Sequence, residues 1–165
     1  MHCSSEIVTE GGMKMLEIKE LSTIRFEQWL ALWKAYLAFY HATFQQEIAE
    51  FTWHRLIASN KDNMYGFAAI DGDQVVGIVH VIEHDSCWTQ QPYAYLQDLY
   101  VITDVRGQGV GRALIEQVYR VTAERGCDRV VWLTQESNLT AQRLYDNIAV
   151  KTGFIQYKKA LQDMN

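Results

Sequence analysis

The segment Val101-Ile-Thr-Asp-Val-Arg106-Gly107-Gln108-Gly109-Val110-Gly111-Arg112 constrains this chain more than any other. An apolar, strand-like run over 94–101 precedes it. An amphipathic run over 109–125 follows, with Val110, Leu114, Val118 and Val121 on one stripe and Arg112, Glu116, Arg120 and Glu124 on the other. A strand therefore ends, a glycine-rich turn follows, and a helix begins. The glycines let backbone N–H groups converge without Cβ interference. Those donors lie at the positive end of the helix, where an anion is favoured, and Arg106 and Arg112 add charge at the rim. A diphosphate is the natural guest. A Walker loop would need a Lys after the glycines, and none follows. The dinucleotide fingerprint would need its third glycine one residue later and in the first βα unit. The loop by itself also admits a glycine-rich helix start that holds nothing.

The rest of the chain reads as a mixed α/β (α+β) arrangement. Alternation predicts a first strand over 15–19. Ser22 or Thr23 then caps a long helix bearing Phe26, Trp29, Leu30, Trp33, Tyr36, Leu37 and Tyr40. A second helix is predicted over 47–57, with Ile48, Phe51 and Leu56 inward. Runs over 66–70 and 74–82, joined by Asp71-Gly72-Asp73, form a hairpin. In the second helical half, Glu116 and Arg120 stand in a favourable i, i+4 order. Gly126 ends the phosphate-loop helix, and 129–134 reads as a strand buried on both faces. Asn138 caps a further helix carrying Ala141, Leu144, Tyr145 and Ile148. Gly153 closes that helix, and 154–161 supplies a final strand. The order is not the regular alternation of a doubly wound fold.

Composition narrows the function classes. A chain of 165 residues, 48% hydrophobic and 21% charged, suits one domain with an ordinary core. We read 1–12 as a poorly ordered polar extension and 13–165 as that domain. The net charge of −5, with no gathering of Lys and Arg, argues against a nucleic-acid partner. No apolar stretch reads as a signal peptide or a membrane span. Cys3, Cys87 and Cys127 make an odd count without a CxxC pair, so reduced thiols in a cytoplasmic protein are expected.

Arg106-x-x-Gly109-x-Gly111 resembles the acetyl-CoA signature of the GNAT superfamily of N-acetyltransferases. The resemblance continues through Tyr95-Leu-Gln-Asp-Leu-Tyr-Val101, which looks like that family's fourth strand. Trp132-Leu-Thr-Gln-Glu-Ser-Asn138, Ala141, Leu144-Tyr145 and Gly153-Phe154 look like its fifth strand, following helix and final strand. The run over 138–157 is similar to a branch containing histone, polyamine and D-amino-acid N-acetyltransferases. The resemblance implies a mixed, mostly antiparallel sheet with splayed fourth and fifth strands and helices on both faces. It implies acetyl-CoA as cosubstrate, bound by Leu99, Tyr100, Val101, the loop Arg106, Gly107, Gln108, Gly109, Val110, Gly111 and Arg112, and by Asn138 and Tyr145. It also allows a homodimer.

Acetyl transfer to an amine needs a neutral amine, a donor for the developing oxyanion and a proton for the departing thiolate. By resemblance, the Val101 N–H faces the thioester carbonyl and Tyr145 is the general acid; a phenol stays protonated at neutral pH. Tyr145 read alone is an amphipathic-helix residue packing beside Leu144 and Ile148, and Asn138 a plain N-cap. The base is open. Polyamine acetyltransferases carry a Glu-Asp pair where this chain has Gln97 and Asp98, so Asp98 is left either to take the proton through water or to anchor a cationic substrate. His80 and His84 are alternative bases; on one face of a strand and roughly 13 Å apart, they are too distant to share a metal, and no metal is expected. The aromatic stripe read alone is core; by resemblance, Trp33 and Tyr36 on it border the acceptor pocket with Gln97 and Asp98, where rings suit a cationic amine. Cys127 raises a lesser acyl-cysteine alternative. The expected activity is transfer of acetyl to a primary amine of a small molecule (a polyamine or amino acid) or of a protein. The competing reading is an acyl-CoA sensor without turnover, kept open by Gln97 in place of an acid.

Overall fold

A computed structural model describes residues 6–7, 15–58 and 63–161. Its elements are β1 (Glu6–Ile7), β2 (Leu16–Glu20), α1 (Phe26–Phe39), α2 (Gln46–Ile57), β3 (Met64–Asp71), β4 (Gln74–His84), β5 (Tyr93–Val101), α3 (Val110–Glu124), β6 (Arg129–Val131) and α4 (Leu139–Tyr145). The chain forms two compact units, 1–133 and 134–165. Of the extension over 1–12, Glu6–Ile7 pair with β2; its remainder lies outside the described residues.

The first unit holds a six-stranded sheet in sequence order, antiparallel from β1 to β5, with β6 parallel to β5. The β3–β4 hairpin turns on Gly72-Asp73, with Asp71 opposite Gln74. α1 and α2 cover one face, where Trp29, Leu32, Trp53, Leu56, Ala68 and Ile78 share a core. Val110 and Leu114 of α3 lie against Gly77 on the other. The expected helices on both faces are present. β6 matches β5 only from Tyr93/Arg129 to Tyr95/Val131, so the last residues of β5 run on beyond their pairing with β6, with no other strand paired on that side among the described residues. This is the expected splay.

Several local expectations are corrected. Ser22 and Thr23 do not cap α1; their hydroxyls turn back to Glu20, and the helix starts after Arg25, whose N–H donates to Gln28 Oε1 at 3.0 Å. α2 turns Ala49, Trp53 and Leu56 inward and leaves Ile48 and Phe51 exposed. The small Ala49 permits close approach but adds little to an apolar pattern, which hides the true face. On α3, Arg120 pairs with Glu124 and Glu116 with Arg112, rather than with each other. β6 is shorter than expected and exposes Val131 and Leu133 instead of burying both faces.

In the second unit α4 stops at Tyr145, leaving Ile148 beyond it and Gly153 without a closing role. Residues 154–161 form no strand, and Phe154, Ile155, Tyr157 and Leu161 are exposed. A strand needs a ladder partner, which an alternating pattern cannot supply.

Candidate active site

Backbone geometry at the loop follows from its glycines. Gly107 and Gly109 take φ of 79° and 89°, where side chains with a Cβ are strained. Gly109 is the N-cap of α3 and offers no side-chain acceptor, so the first-turn N–H groups keep no capping partner from it. Arg106 donates from Nε to the Val101 carbonyl at 2.9 Å, and its guanidinium lies over Tyr100 and Phe39, 5.5 and 5.7 Å from the ring centroids. Positive charge is thus held at the rim. Arg112 is drawn toward Glu116. Ile102 N–H donates to Val76 on β4. Alternation along β5 therefore turns the N–H groups of Leu99 and Val101 away from β4, toward the side that β6 has left. Anion donors on α3 and outward donors on β5 suit a diphosphate and an amide-rich arm.

Asp98 sits at the centre of a second cluster. Directly paired residues share a face, and the register runs His80↔Asp98 but Val81↔Leu96, leaving Gln97 as an extra residue. That bulge shifts the phase of the strand. Leu96 faces inward with Val81, toward α3, while Asp98 turns with His80 toward α1. Gln97 itself is exposed.

The Asp98 side chain is 13% exposed and accepts a 2.9 Å hydrogen bond from His80 Nδ1. His80 is 1% exposed, and its Nε2 accepts from the indole of Trp29 at 2.9 Å. Indole N–H is a donor only, so Nε2 carries the lone pair and Nδ1 the proton. This leaves His80 no free lone pair for an acceptor amine. His80 is thus placed as a packed residue beside Asp98. Room for the ring comes from Gly66, its partner on β3, where a Cβ would lie 2.4 Å from the Val79 carbonyl oxygen and 3.3 Å from His80 Cδ2.

Tyr36 completes the cluster. Burial, then the Asp98 charge and a hydrogen bond to Asp98, push its phenol far above the ordinary range, so it is a permanent donor. Burial and then Asp98 also raise Tyr95. Trp33 stacks on Tyr36 and Trp29 at 5.4 and 5.6 Å and leans on His80 at 5.4 Å. Tyr100 meets Tyr36 edge-on at 6.3 Å. The structure therefore brings Trp33, Tyr36 and Asp98 together, and with them Trp29 of the same helix stripe.

His84 is exposed, with its Nδ1 2.9 Å from the Asp85 carbonyl oxygen, and stands apart from Asp98. The Cys127 thiol is pushed up to about 11 by burial, the Glu83 charge and a hydrogen bond to Glu83. A thiol so disposed is a poor nucleophile at neutral pH. In the second unit, Asn138 caps α4, accepting from Ala141 N–H at 3.2 Å, and Tyr145 is its last residue, half-buried. Among the described residues no group of three or more His, Cys, Asp or Glu side chains is placed to hold a metal ion. No helix among them is long and apolar enough to cross a membrane.

Residues 21–148, which include both clusters and α4, match the acetyltransferase (GNAT) family. The chain belongs to that family. This makes it an N-acetyltransferase. It is 36% identical over 135 residues to the D-amino-acid N-acetyltransferase HPA3 of Saccharomyces cerevisiae, spanning 81% of this chain and 83% of the relative. The thialysine N-epsilon-acetyltransferase of Caenorhabditis elegans is 28% identical over 85 residues, about half of each chain at 52%. The branch expected from the sequence agrees with these relatives. Among solved structures, the aminoglycoside N-acetyltransferase AAC(6')-Iy in complex with CoA superposes with a TM-score of 0.79 at 18% identity, over 93% of this chain and 99% of that one. At that identity the likeness supports the fold alone.

Proposed function

We propose that this acetyltransferase moves acetyl from acetyl-CoA directly to the primary amine of a small cationic molecule, such as a polyamine or an amino acid. The observation that carries this reading is Asp98: a nearly buried carboxylate held by His80 and Tyr36, with no Lys or Arg paired to it among the described residues. Neutral donors hold the charge in place without cancelling it. An incoming ammonium supplies the missing cation, and the rings of Trp33, Tyr36 and Tyr100 suit its approach. The named relatives act on D-amino acids and thialysine, both amine-bearing small molecules, which favours a small acceptor over a protein.

In this mechanism the loop at Gly107–Gly111 and the rim arginines hold the diphosphate. The outward N–H groups of Leu99 and Val101 bind the pantetheine arm, with Val101 donating to the oxyanion, a contact worth roughly 3 kcal/mol in comparable sites. Asp98 first anchors the ammonium and then accepts one proton from it, directly or through water, which frees the lone pair with which the nitrogen attacks the thioester carbonyl. By family resemblance, Tyr145 returns a proton to the thiolate and Asn138 touches CoA. A cytoplasmic location and a homodimer fit this reading.

The test is calorimetric titration of acetyl-CoA into wild type and Gly109→Glu, followed by amine-dependent release of CoA with Tyr145→Phe as a control. Binding lost in the Gly109 variant and amine-stimulated turnover reduced in Tyr145→Phe support the reading. Failure of folded wild type to bind acetyl-CoA sinks it, whereas binding without turnover on any amine leaves the acyl-CoA sensor in its place.

A further inference from the structure

The geometry points to Trp29 and His80 as positioning residues that act through Asp98, an inference that rests on Asp98 serving the acceptor amine as proposed above. The chain of contacts runs from α1 to β4 to β5: indole Nε1–H to His80 Nε2 at 2.9 Å, then His80 Nδ1–H to Asp98 Oδ2 at 2.9 Å. Each link fixes the next. The indole has no lone pair to offer, so it tolerates only the ring with a bare Nε2. Protonating that nitrogen would set two donors against each other inside a site where His80 is 1% exposed. Trp29, itself 0% exposed and stacked between Phe26 and Trp33, cannot turn aside to relieve the conflict. His80 therefore presents Nδ1–H to Asp98 as a fixed donor. Its task is to hold Asp98 with one oxygen occupied and the carboxylate aimed toward the aromatic wall.

The groups that face His80 bear this out. On α1 they are the rings of Trp29 and Trp33, and on β3 the bare backbone of Gly66. On β5 it meets Asp98, the charged group in contact with it, which Tyr36 and Tyr95 face in turn. An imidazolium here would pair with Asp98 and remove its attraction for an ammonium. The indole bond opposes that exchange by holding the ring with a bare Nε2.

Long-range proton–nitrogen correlation spectra of the wild-type protein test the tautomer without any turnover. The expected His80 ring carries its proton on Nδ1 and a lone pair on Nε2. A proton on Nε2 overturns the inference. Kinetics supply the second arm, with ethylamine as acceptor. His80→Asn keeps an amide donor near the Nδ1 position, whereas His80→Leu does not. His80→Leu is expected to lose about tenfold in kcat with the KM for acetyl-CoA unchanged, and His80→Asn to recover most of it. Trp29→Phe, which removes the indole donor, is expected to lower kcat by a smaller factor than His80→Leu, again with the KM for acetyl-CoA unchanged. Equal rates for folded His80→Leu and His80→Asn, or a folded Trp29→Phe with the wild-type kcat, overturn the positioning role. If Asp98→Asn itself acetylates ethylamine at the wild-type rate, the parent reading of Asp98 fails as well, so the two failures are distinguishable.

Discussion

Strand β4 sends two buried polar side chains to opposite faces of the sheet, and each belongs to a cluster built around a carboxylate. On the α3 side the carboxylate is Glu83 itself, 8% exposed. Arg125 grips it with Nε to Oε1 at 2.7 Å and Nη2 to Oε2 at 3.2 Å, and Tyr65 donates to Oε1 at 2.6 Å. The guanidinium also lies over the Tyr65 ring, 5.0 Å from its centroid. On the α1 side the carboxylate is Asp98, and its partners are a neutral imidazole and a phenol. Glu83 is complete: its charge is cancelled and its lone pairs are engaged. Asp98 is oriented but not cancelled. A carboxylate taken largely out of water without a counter-charge is costly, and the cost is offset when a cation arrives. The comparison separates a clamp that holds the fold from a site prepared for a cationic guest.

The largest contrast should appear on removing each charge. Asp98→Asn is expected to lose at least about 100-fold in kcat/KM for the amine, the range of general-base catalysis, with calorimetric affinity for acetyl-CoA retained. Glu83→Gln should behave in the opposite way. It removes the charge from the Arg125–Glu83 pair and should lose on the order of 2 kcal/mol in urea unfolding, scaled down from a fully buried pair because Arg125 is partly exposed. Activity per folded molecule should stay within about twofold. An inactive but stable Glu83→Gln would erase the distinction between the two clusters.

Tyr36→Phe sharpens the same point at a smaller scale. Loss of one donor to a charged acceptor should reduce kcat about tenfold, read by steady-state kinetics. Because burial and Asp98 push the Tyr36 phenol far up, wild type and variant should show no difference in the alkaline limb of the pH profile below pH about 10. A limb present only in wild type would place a titrating Tyr36 at the site.

The smallest effect belongs to the clamp. Cys127 has a folded pKa raised from 9.0 to about 11, so above pH 9 the unfolded chain holds fewer protons than the folded one. Its contribution to stability is whole below that point and is lost as pH rises through 11. Thermal melts of wild type should fall more steeply across that window than those of Cys127→Ser. Identical slopes would show that the thiol does not sense Glu83.

What the sequence made legible divides along the same physical line. The phosphate loop could be read because Gly107 and Gly109 encode their own backbone conformations, and the strand and helix beside them have clear periods. The splay of β5 from β6 came with the family resemblance. Asp98 and His80 were each visible, but their pairing was not, because it depends on the bulge at Gln97. Without that extra residue Asp98 would follow Leu96 to the α3 face. The Trp29 bond was hidden for a related reason: an indole in an apolar stripe looks like core, and here it is core with its one donor in use. Strand alternation sets Glu83 opposite His80, but nothing local announces Arg125, at the end of α3, as its partner. The expected strand over 154–161 failed because alternation describes what a strand would present, not whether a neighbour exists.

The central claim is that Asp98 serves the charge of the acceptor, and amines of matched size but different basicity test it most directly. Ethylamine is a cation at neutral pH, whereas the fluorines of 2,2,2-trifluoroethylamine leave it neutral. The measurement is kcat/KM for both in wild type and Asp98→Asn, at one pH and saturating acetyl-CoA. The account predicts a wild-type to variant ratio of at least about 100 for ethylamine that falls toward one for the fluorinated amine. A ratio that is the same for both amines, or near one for ethylamine, would contradict it.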